Sequence, residues 1–237
     1  MRKILRILRR ERGGEESYWE DFVFETDQEA ATAAAALSAL REKDRTGTGE
    51  RPFRPIAWDH SCLQKKCGAC AMRIQGKPCL ACDTRLSSFR EETIVIEPLK
   101  KFPVIEDLLV DRTFLMDRLL SMEAWYEGEA LQRAESLSYE ASRCLQCGLC
   151  LEVCPGFQAK GSFAGMAGMT PFARILARLP EGQRKKAART FDRAVYEGCG
   201  KSLACREICP AGIDLERLLV KSTAAAVWRR WKTFDRE

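Results

Sequence analysis

Twelve cysteines stand against one histidine, His60, in a chain of 237 residues, and that ratio constrains the fold more than any other feature. They fall into three groups, at 62–82, 144–154 and 199–209. A disulfide framework suits small secreted chains, and this chain is neither small nor visibly secreted. The opening MRKILRILRR places Arg6, Arg9 and Arg10 inside what would be the apolar core of a signal peptide. An Arg-rich, acid-free start also has the look of a mitochondrial transit peptide. A short first strand is the preferred reading, because the cysteine motifs begin early. Reduced thiols gathered on metal fit the pattern better than disulfides. Zinc sites usually pair C-x2-C units, often with His, and these groups do not pair that way.

The remaining composition excludes several classes. Charged residues make up 31% and apolar residues 46%, as in an ordinary globular protein. The net charge of +5 is spread along the chain, so nucleic acid is not an expected partner. No apolar run approaches the roughly 18–20 residues of a membrane helix; AATAAAALSAL from Ala30 is too short and too Ala-rich.

Periodicity divides the chain. YWEDFVFE (18–25) and ETIVIEP (92–98) read as strands, Ala30 to Lys43 as one helix, and TGTGERPFRP (46–55) as a loop. After Pro103 the strand signals fade, and Leu108, Leu109, Phe114, Leu115, Leu119 and Leu120 recur at helical spacing. Further helices are expected around 130–142, 171–179, 184–197 and 214–231, the last capped by Asp214. The predicted fold is α+β, a mixed unit over 1–105 followed by an all-helical unit over 106–237.

In the first cysteine group, Cys62-x4-Cys67-x2-Cys70 is followed by Cys82 after eleven residues. This is plant-type [2Fe–2S] spacing, three thiolates on a tight loop and a more distant fourth. Gly68 and Ala69 are small enough to let the loop's N–H groups approach the sulfides. Cys79 lies three residues before Cys82, so spacing alone admits either as the fourth ligand. Cys82 is preferred, with Cys79 a buried free thiol. The competing reading is a zinc knuckle or inert buried thiols.

CLQCGLCLEVCP gives Cys144-x2-Cys147-x2-Cys150-x3-Cys154-Pro155, the bacterial ferredoxin run, whose fourth Cys serves the other cluster. Three corners of one [4Fe–4S] cubane then come from Cys144, Cys147 and Cys150, and Cys209, which precedes Pro210, is the natural fourth. By the same exchange Cys154 joins Cys199 and Cys205. In CGKSLACREICP, Ser202 stands where the remaining thiolate would be. A three-thiolate site most simply holds [3Fe–4S], an expected high-potential end of a relay. The alternative is [4Fe–4S] with the Ser202 oxygen or water on its fourth iron.

The combination of CGACAM-(x9)-C, CGLCLEVCP and C-x5-C-x3-CP resembles the iron–sulfur subunits of succinate dehydrogenase and fumarate reductase over nearly the whole chain. The resemblance implies a β-grasp [2Fe–2S] ferredoxin domain, then an α-helical ferredoxin domain with [4Fe–4S] and [3Fe–4S] clusters. Carried over by motif, the ligands are Cys62, Cys67, Cys70 and Cys82, then Cys144, Cys147, Cys150 and Cys209, then Cys154, Cys199 and Cys205. It implies an electron relay between an FAD-containing flavoprotein subunit and quinone at a membrane anchor that bears haem b. The dicarboxylate chemistry then belongs to the flavoprotein, with no catalytic residue here. The expected location is the cytoplasmic face of a bacterial plasma membrane, held peripherally through partners. An alternative is the iron–sulfur subunit of a soluble or differently anchored flavoprotein reductase acting on another organic acid; a zinc-stapled interaction protein is the remaining one.

Departures from the family pattern point to the partner. Ubiquinone-linked members commonly have REG inside the first x4 loop, where this chain has LQKK, similar to menaquinone-linked Gram-positive members. They also carry Trp soon after the second motif's Cys-Pro and His after the first Cys of the third. Phe157-Gln158 and Gly200 stand there instead, which favours menaquinone or a non-quinone partner. VWRRWK (227–232) suits either a headgroup contact or a solvated helix end. FAGMAGM (163–169) is expected to pack in the core and His60 to be structural.

Overall fold

Apolar and charged residues alternate through RKILRILRR. In the computed structural model this stretch is strand β1 (Arg2–Arg10), with Leu5 and Ile7 completely buried. The structure describes residues 1–42, 54–123, 125, 136–176, 179 and 181–228. The chain forms two units, Met1–Asp111 and Arg112–Glu237.

In the first unit β1 pairs antiparallel with β2 (Ser17–Glu25), placing Leu5 opposite Phe22. On its other side it runs parallel to β5 (Thr93–Glu97), with Ile94 and Ile96 on the buried face. β3 (Ala71–Ile74) and β4 (Lys77–Leu80) complete a sheet of order β2-β1-β5-β3-β4. Their hairpin turns at Gln75 and Gly76, both left-handed, as a two-residue turn of matching twist requires. Helix α1 (Ala33–Glu42) lies against β2 and buries Ala36 and Leu37. It begins at Ala33 rather than Ala30 because the Thr32 hydroxyl caps it, accepting from the Ala35 N–H at 3.2 Å. Lys43 and the loop expected over 46–55 fall largely outside the described residues.

Strand structure continues past Pro103, against the sequence expectation. Val104–Glu106 (β6) and Leu109–Val110 (β7) form a hairpin, so the first unit ends at Asp111 rather than near 105. The reason is a buried carboxylate. Asp107, at the hairpin turn with φ +46°, is fully buried. It accepts from the Arg10 N–H (3.0 Å), the Ala57 N–H (2.9 Å) and Arg54 Nη2 (2.6 Å). Arg9, also fully buried, pairs with Asp107 at 3.0 Å and with Glu20 at 2.6 Å. Removing one partner of such a buried pair costs about 3–5 kcal/mol. Asp107→Ala is therefore expected to lower the urea midpoint of the full chain, and Asp107→Asn, which keeps a carbonyl acceptor, to lower it less. Equal midpoints for wild type and D107A would refute this role.

The second unit is helical: α2 (Thr113–Ser121), α3 (Ser136–Ser142), α4 (Leu149–Glu152), α5 (Gly165–Leu176), α6 (Glu181–Phe191) and α7 (Leu215–Thr223). Met169, Phe172, Phe191, Val195 and Leu218 form its core. FAGMAGM supplies the first turns of the central helix α5 and is buried, as expected of core packing. A methyl group on Gly168 would lie 2.5 Å from the Ala164 Cβ and 3.0 Å from the Met122 Sδ, so only glycine admits this packing. Helix α6 continues through a π turn, Asp192–Tyr196, into the third cysteine group. Asp214 caps α7, its carboxylate accepting from the Arg217 N–H at 2.9 Å. The expected helix over 130–142 is described only from Ser136, and the last helix only to Trp228, so most of VWRRWK lies outside the described residues.

Candidate cluster-binding sites

The first site starts from backbone that ordinary residues avoid. Leu63 (φ +51°), Lys65 (+59°) and Gly68 (+77°) are left-handed and curl the loop so that its N–H groups face inward. The N–H groups of Gln64 and Lys66 each reach the Cys62 Sγ at 3.3 Å, and that of Lys65 reaches the Cys82 Sγ at 3.3 Å. These donors hold the Cys62 thiol down to about 7. Burial pushes the Cys70 thiol up to about 12, and proximity to Cys82 and Cys67 adds to it. The structure thus gathers Cys62, Cys67, Cys70 and Cys82. Cys79 faces elsewhere, opposite Met72 across the β3–β4 hairpin and near Thr84, its thiol raised by burial. Lys65 also pairs with Asp83 at 2.6 Å, tying the loop to the turn that carries Cys82. His60 stacks on Trp58 with ring centroids 4.3 Å apart.

In the second unit, Cys144, Cys147, Cys150 and Cys209 line one cavity with Gln146 and Ala167. The cavity, mouth included, encloses about 370 Å³. Burial raises the Cys144 thiol, lifts Cys147 to about 11 and drives Cys150 well up. A cationic centre bound here would offset that burial penalty on the thiolates. The four thiols surround a common space. This donor set fits a cluster.

Cys205 lies near Cys154, Cys199 and Cys209, and burial, reinforced by those neighbours, lifts its thiol to about 11. The loop before it repeats the backbone of its counterpart. Gln146 (φ +51°) and Gly148 (+81°) follow Cys144 at two and four residues, and Lys201 (+54°) and Leu203 (+56°) follow Cys199 likewise. Ser202 therefore occupies the position of Cys147 in a loop of the same left-handed pattern, and it is exposed.

Sequence reasoning missed the residues that seat these loops. The Arg118 guanidinium donates to the carbonyls of Gln158, Ala159, Gly161 and Phe163 at 2.7–3.0 Å. It also stacks on Phe114 and Phe157, so it shapes the segment after the second motif. Nothing local marks it, since LMDRLL reads as an ordinary amphipathic turn. Phe163 in turn closes on Gly198: a methyl group there would lie 2.4 Å from its ring. Gly198→Ala is expected to displace Cys199 and cost about 1–3 kcal/mol. Iron content and the thermal midpoint check this, and unchanged values in G198A would refute it.

Comparison with known proteins agrees with this geometry. Residues 3–117 match the model of a 2Fe-2S iron–sulfur cluster binding domain, and residues 140–213 that of a 4Fe-4S dicluster domain. The chain is 33% identical over 194 residues to the succinate dehydrogenase iron–sulfur subunit of Bacillus subtilis, covering 76% of each protein. The chain belongs to the succinate dehydrogenase/fumarate reductase iron–sulfur subunit family. Its fold is that of the family, a [2Fe–2S] domain on a mixed sheet followed by a helical [4Fe–4S] domain. A chain of the Mycobacterium smegmatis Sdh1 complex in its apo form shares that fold, with a TM-score of 0.74 at 24% identity over 94% of this chain and 95% of that one. The chain is also 31% identical over 168 residues to a fumarate reductase (CoM/CoB) polypeptide of Methanothermobacter marburgensis, covering 68% of this chain and 32% of that protein. Among the described residues, no helix is long and apolar enough to cross a membrane.

Proposed function

We propose that this subunit relays single electrons between an FAD-containing flavoprotein and a membrane quinone pool, in a succinate:quinone or quinol:fumarate oxidoreductase. Bound clusters supply one-electron carriers. Cys62, Cys67, Cys70 and Cys82 hold [2Fe–2S]; Cys144, Cys147, Cys150 and Cys209 hold [4Fe–4S]; Cys154, Cys199 and Cys205 hold [3Fe–4S] beside Ser202. The observation that carries the reading is the exchange between motifs: Cys209 lines the cavity of Cys144, Cys147 and Cys150, and Cys205 neighbours Cys154 and Cys199. Menaquinone is the favoured quinone, because Phe157-Gln158 and Gly200 replace the Trp and His of ubiquinone-linked members; a haem b-bearing anchor is the membrane partner that the family resemblance implies. The subunit then sits peripherally on the cytoplasmic face of the membrane, and organic-acid chemistry stays on the flavoprotein.

A second reading is the iron–sulfur subunit of a differently anchored reductase of another organic acid. The likeness to part of a fumarate reductase polypeptide named for CoM/CoB rather than for a quinone supports the differently anchored part of this reading. Anaerobic purification of the complex through a tag on this chain separates the two. A flavoprotein, a haem-bearing membrane subunit and a near-isotropic EPR signal from the oxidised protein are expected. A flavoprotein recovered without a membrane subunit would favour the second reading, and zinc without acid-labile sulfide would overturn both.

A further inference from the structure

Gln146 has a side chain that the cluster motifs do not require. Its Nε2 lies 3.3 Å from the Cys144 Sγ and 3.0 Å from the Ala167 carbonyl. A helical carbonyl is normally satisfied by the N–H four residues on. Four residues after Ala167 stands Pro171, inside α5, and proline has no N–H to give. The proline therefore leaves an acceptor on the wall of the cysteine cavity, and the Gln146 amide takes it. That contact fixes the amide with its nitrogen against sulfur; the reversed amide would set its oxygen against both the carbonyl and the thiolate.

The third cysteine group provides an internal contrast. Lys201 holds the equivalent left-handed position, and its ammonium lies 5.1 Å from the centre of the Tyr196 ring. At this position the side chain donates to sulfur in the second group, whereas in the third it reaches the Tyr196 ring.

We propose that Gln146 is a positioning residue that raises the reduction potential of the centre held by Cys144, Cys147, Cys150 and Cys209, through its side-chain N–H to the Cys144 sulfur. The inference rests on the [4Fe–4S] assignment above. Reduction adds one electron and makes or breaks no bond, so the negative charge shared by the ligand sulfurs grows. A donor aimed at one of those sulfurs favours the reduced form, and hydrogen bonds to sulfur are among the terms that set cluster potentials. The backbone N–H groups of the loop are common to every side chain at this position; the amide donor is supplied by the Gln146 side chain itself.

The test is a dithionite titration with redox mediators, followed by EPR, on the full chain purified anaerobically with its partners. Gln146→Met keeps the length and removes the donor, while Gln146→Gly removes the donor and relieves the left-handed backbone. Both are expected to lower the potential, by about tenfold in the reduced-to-oxidised ratio, or about 59 mV for one electron. The other two centres should stay at wild-type potentials. A Q146M potential equal to wild type, or a shift in Q146M that Q146G does not share, would overturn the inference.

A measurement on the wild type keeps the inference open to refutation if the variants lose the centre. With glutamine labelled by 15N in its side chain, the reduced [4Fe–4S] signal should show a 15N coupling in pulsed EPR. A reduced signal without that coupling overturns the role of Gln146 alone. The absence of any reduced [4Fe–4S] signal in the wild type overturns the cluster assignment as well.

Discussion

Replacing Cys209 by Ser is expected to remove the reduced [4Fe–4S] EPR signal while the oxidised [3Fe–4S] signal persists, even though Cys209 lies in the sequence of the third cysteine group. The cavity that holds Cys144, Cys147 and Cys150 closes with Cys209 from the far end of the chain. Cys154, in the second motif, lies instead near Cys205. Cys154→Ser should accordingly produce the opposite phenotype, loss of the [3Fe–4S] signal with the [4Fe–4S] signal retained. Loss of either centre removes an internal bond between segments about 50 residues apart, and structural metal–thiolate centres contribute directly to folding free energy. Both variants should therefore also lower the thermal midpoint of the second unit by several degrees. If C209S lost only the [3Fe–4S] signal, each motif would serve its own cluster and the exchange would be wrong.

Replacing Ser202 by Cys is expected to convert the third centre from [3Fe–4S] to [4Fe–4S]. Lys201 and Leu203 already hold the loop in the same left-handed pattern that carries Cys147 in its counterpart, so the new thiolate needs no rearrangement of the backbone. The converted protein should lose the near-isotropic signal on oxidation and gain a second reduced [4Fe–4S] signal. A fourth thiolate adds negative charge, so the potential should fall and quinone reduction by the assembled complex should slow in proportion. Ser202→Ala separates the two readings of the wild type. If the serine oxygen is no ligand, S202A keeps the wild-type signal unchanged. If the wild type shows no [3Fe–4S] signal under anaerobic conditions and S202A gains one, the serine oxygen is the fourth ligand.

Legibility in the sequence follows how local each interaction is. The β1 and β5 strands, the Asp214 cap and the small Gly68 of the first cysteine loop are short-range features, and the structure has them where the residues suggest. The hairpin after Pro103 escapes sequence reading because Leu108 and Leu109 fit a helical stripe. What makes them part of a hairpin is Asp107, and the partners of Asp107 sit at Arg9, Arg10, Arg54 and Ala57. Helix α1 starts three residues later than its Ala run suggests, because such a run carries no boundary of its own, whereas the hydroxyl of Thr32 does. The π turn after α6 has no sequence signature; it releases the Ala194 carbonyl to the Ala164 N–H at 2.8 Å, a contact 30 residues distant.

Three things follow from the order of residues alone: the cysteine groups, the spacing that suits each cluster, and a serine in place of a thiolate at Ser202. Ligand spacing within a loop is set by the loop's own covalent reach, so no tertiary contact is needed to read it. Which groups aim at those sulfurs and seat their loops is a matter of packing. Lys65 over Cys82, Gln146 against Cys144, Arg118 under the segment from Gln158 to Phe163, and the orphaned carbonyl left by Pro171 all depend on how the chain folds back. Hydrogen bonds act over about 3 Å, and no spacing rule brings such groups within that distance; the packing of α2, α4 and α5 and the curl of the cysteine loops do.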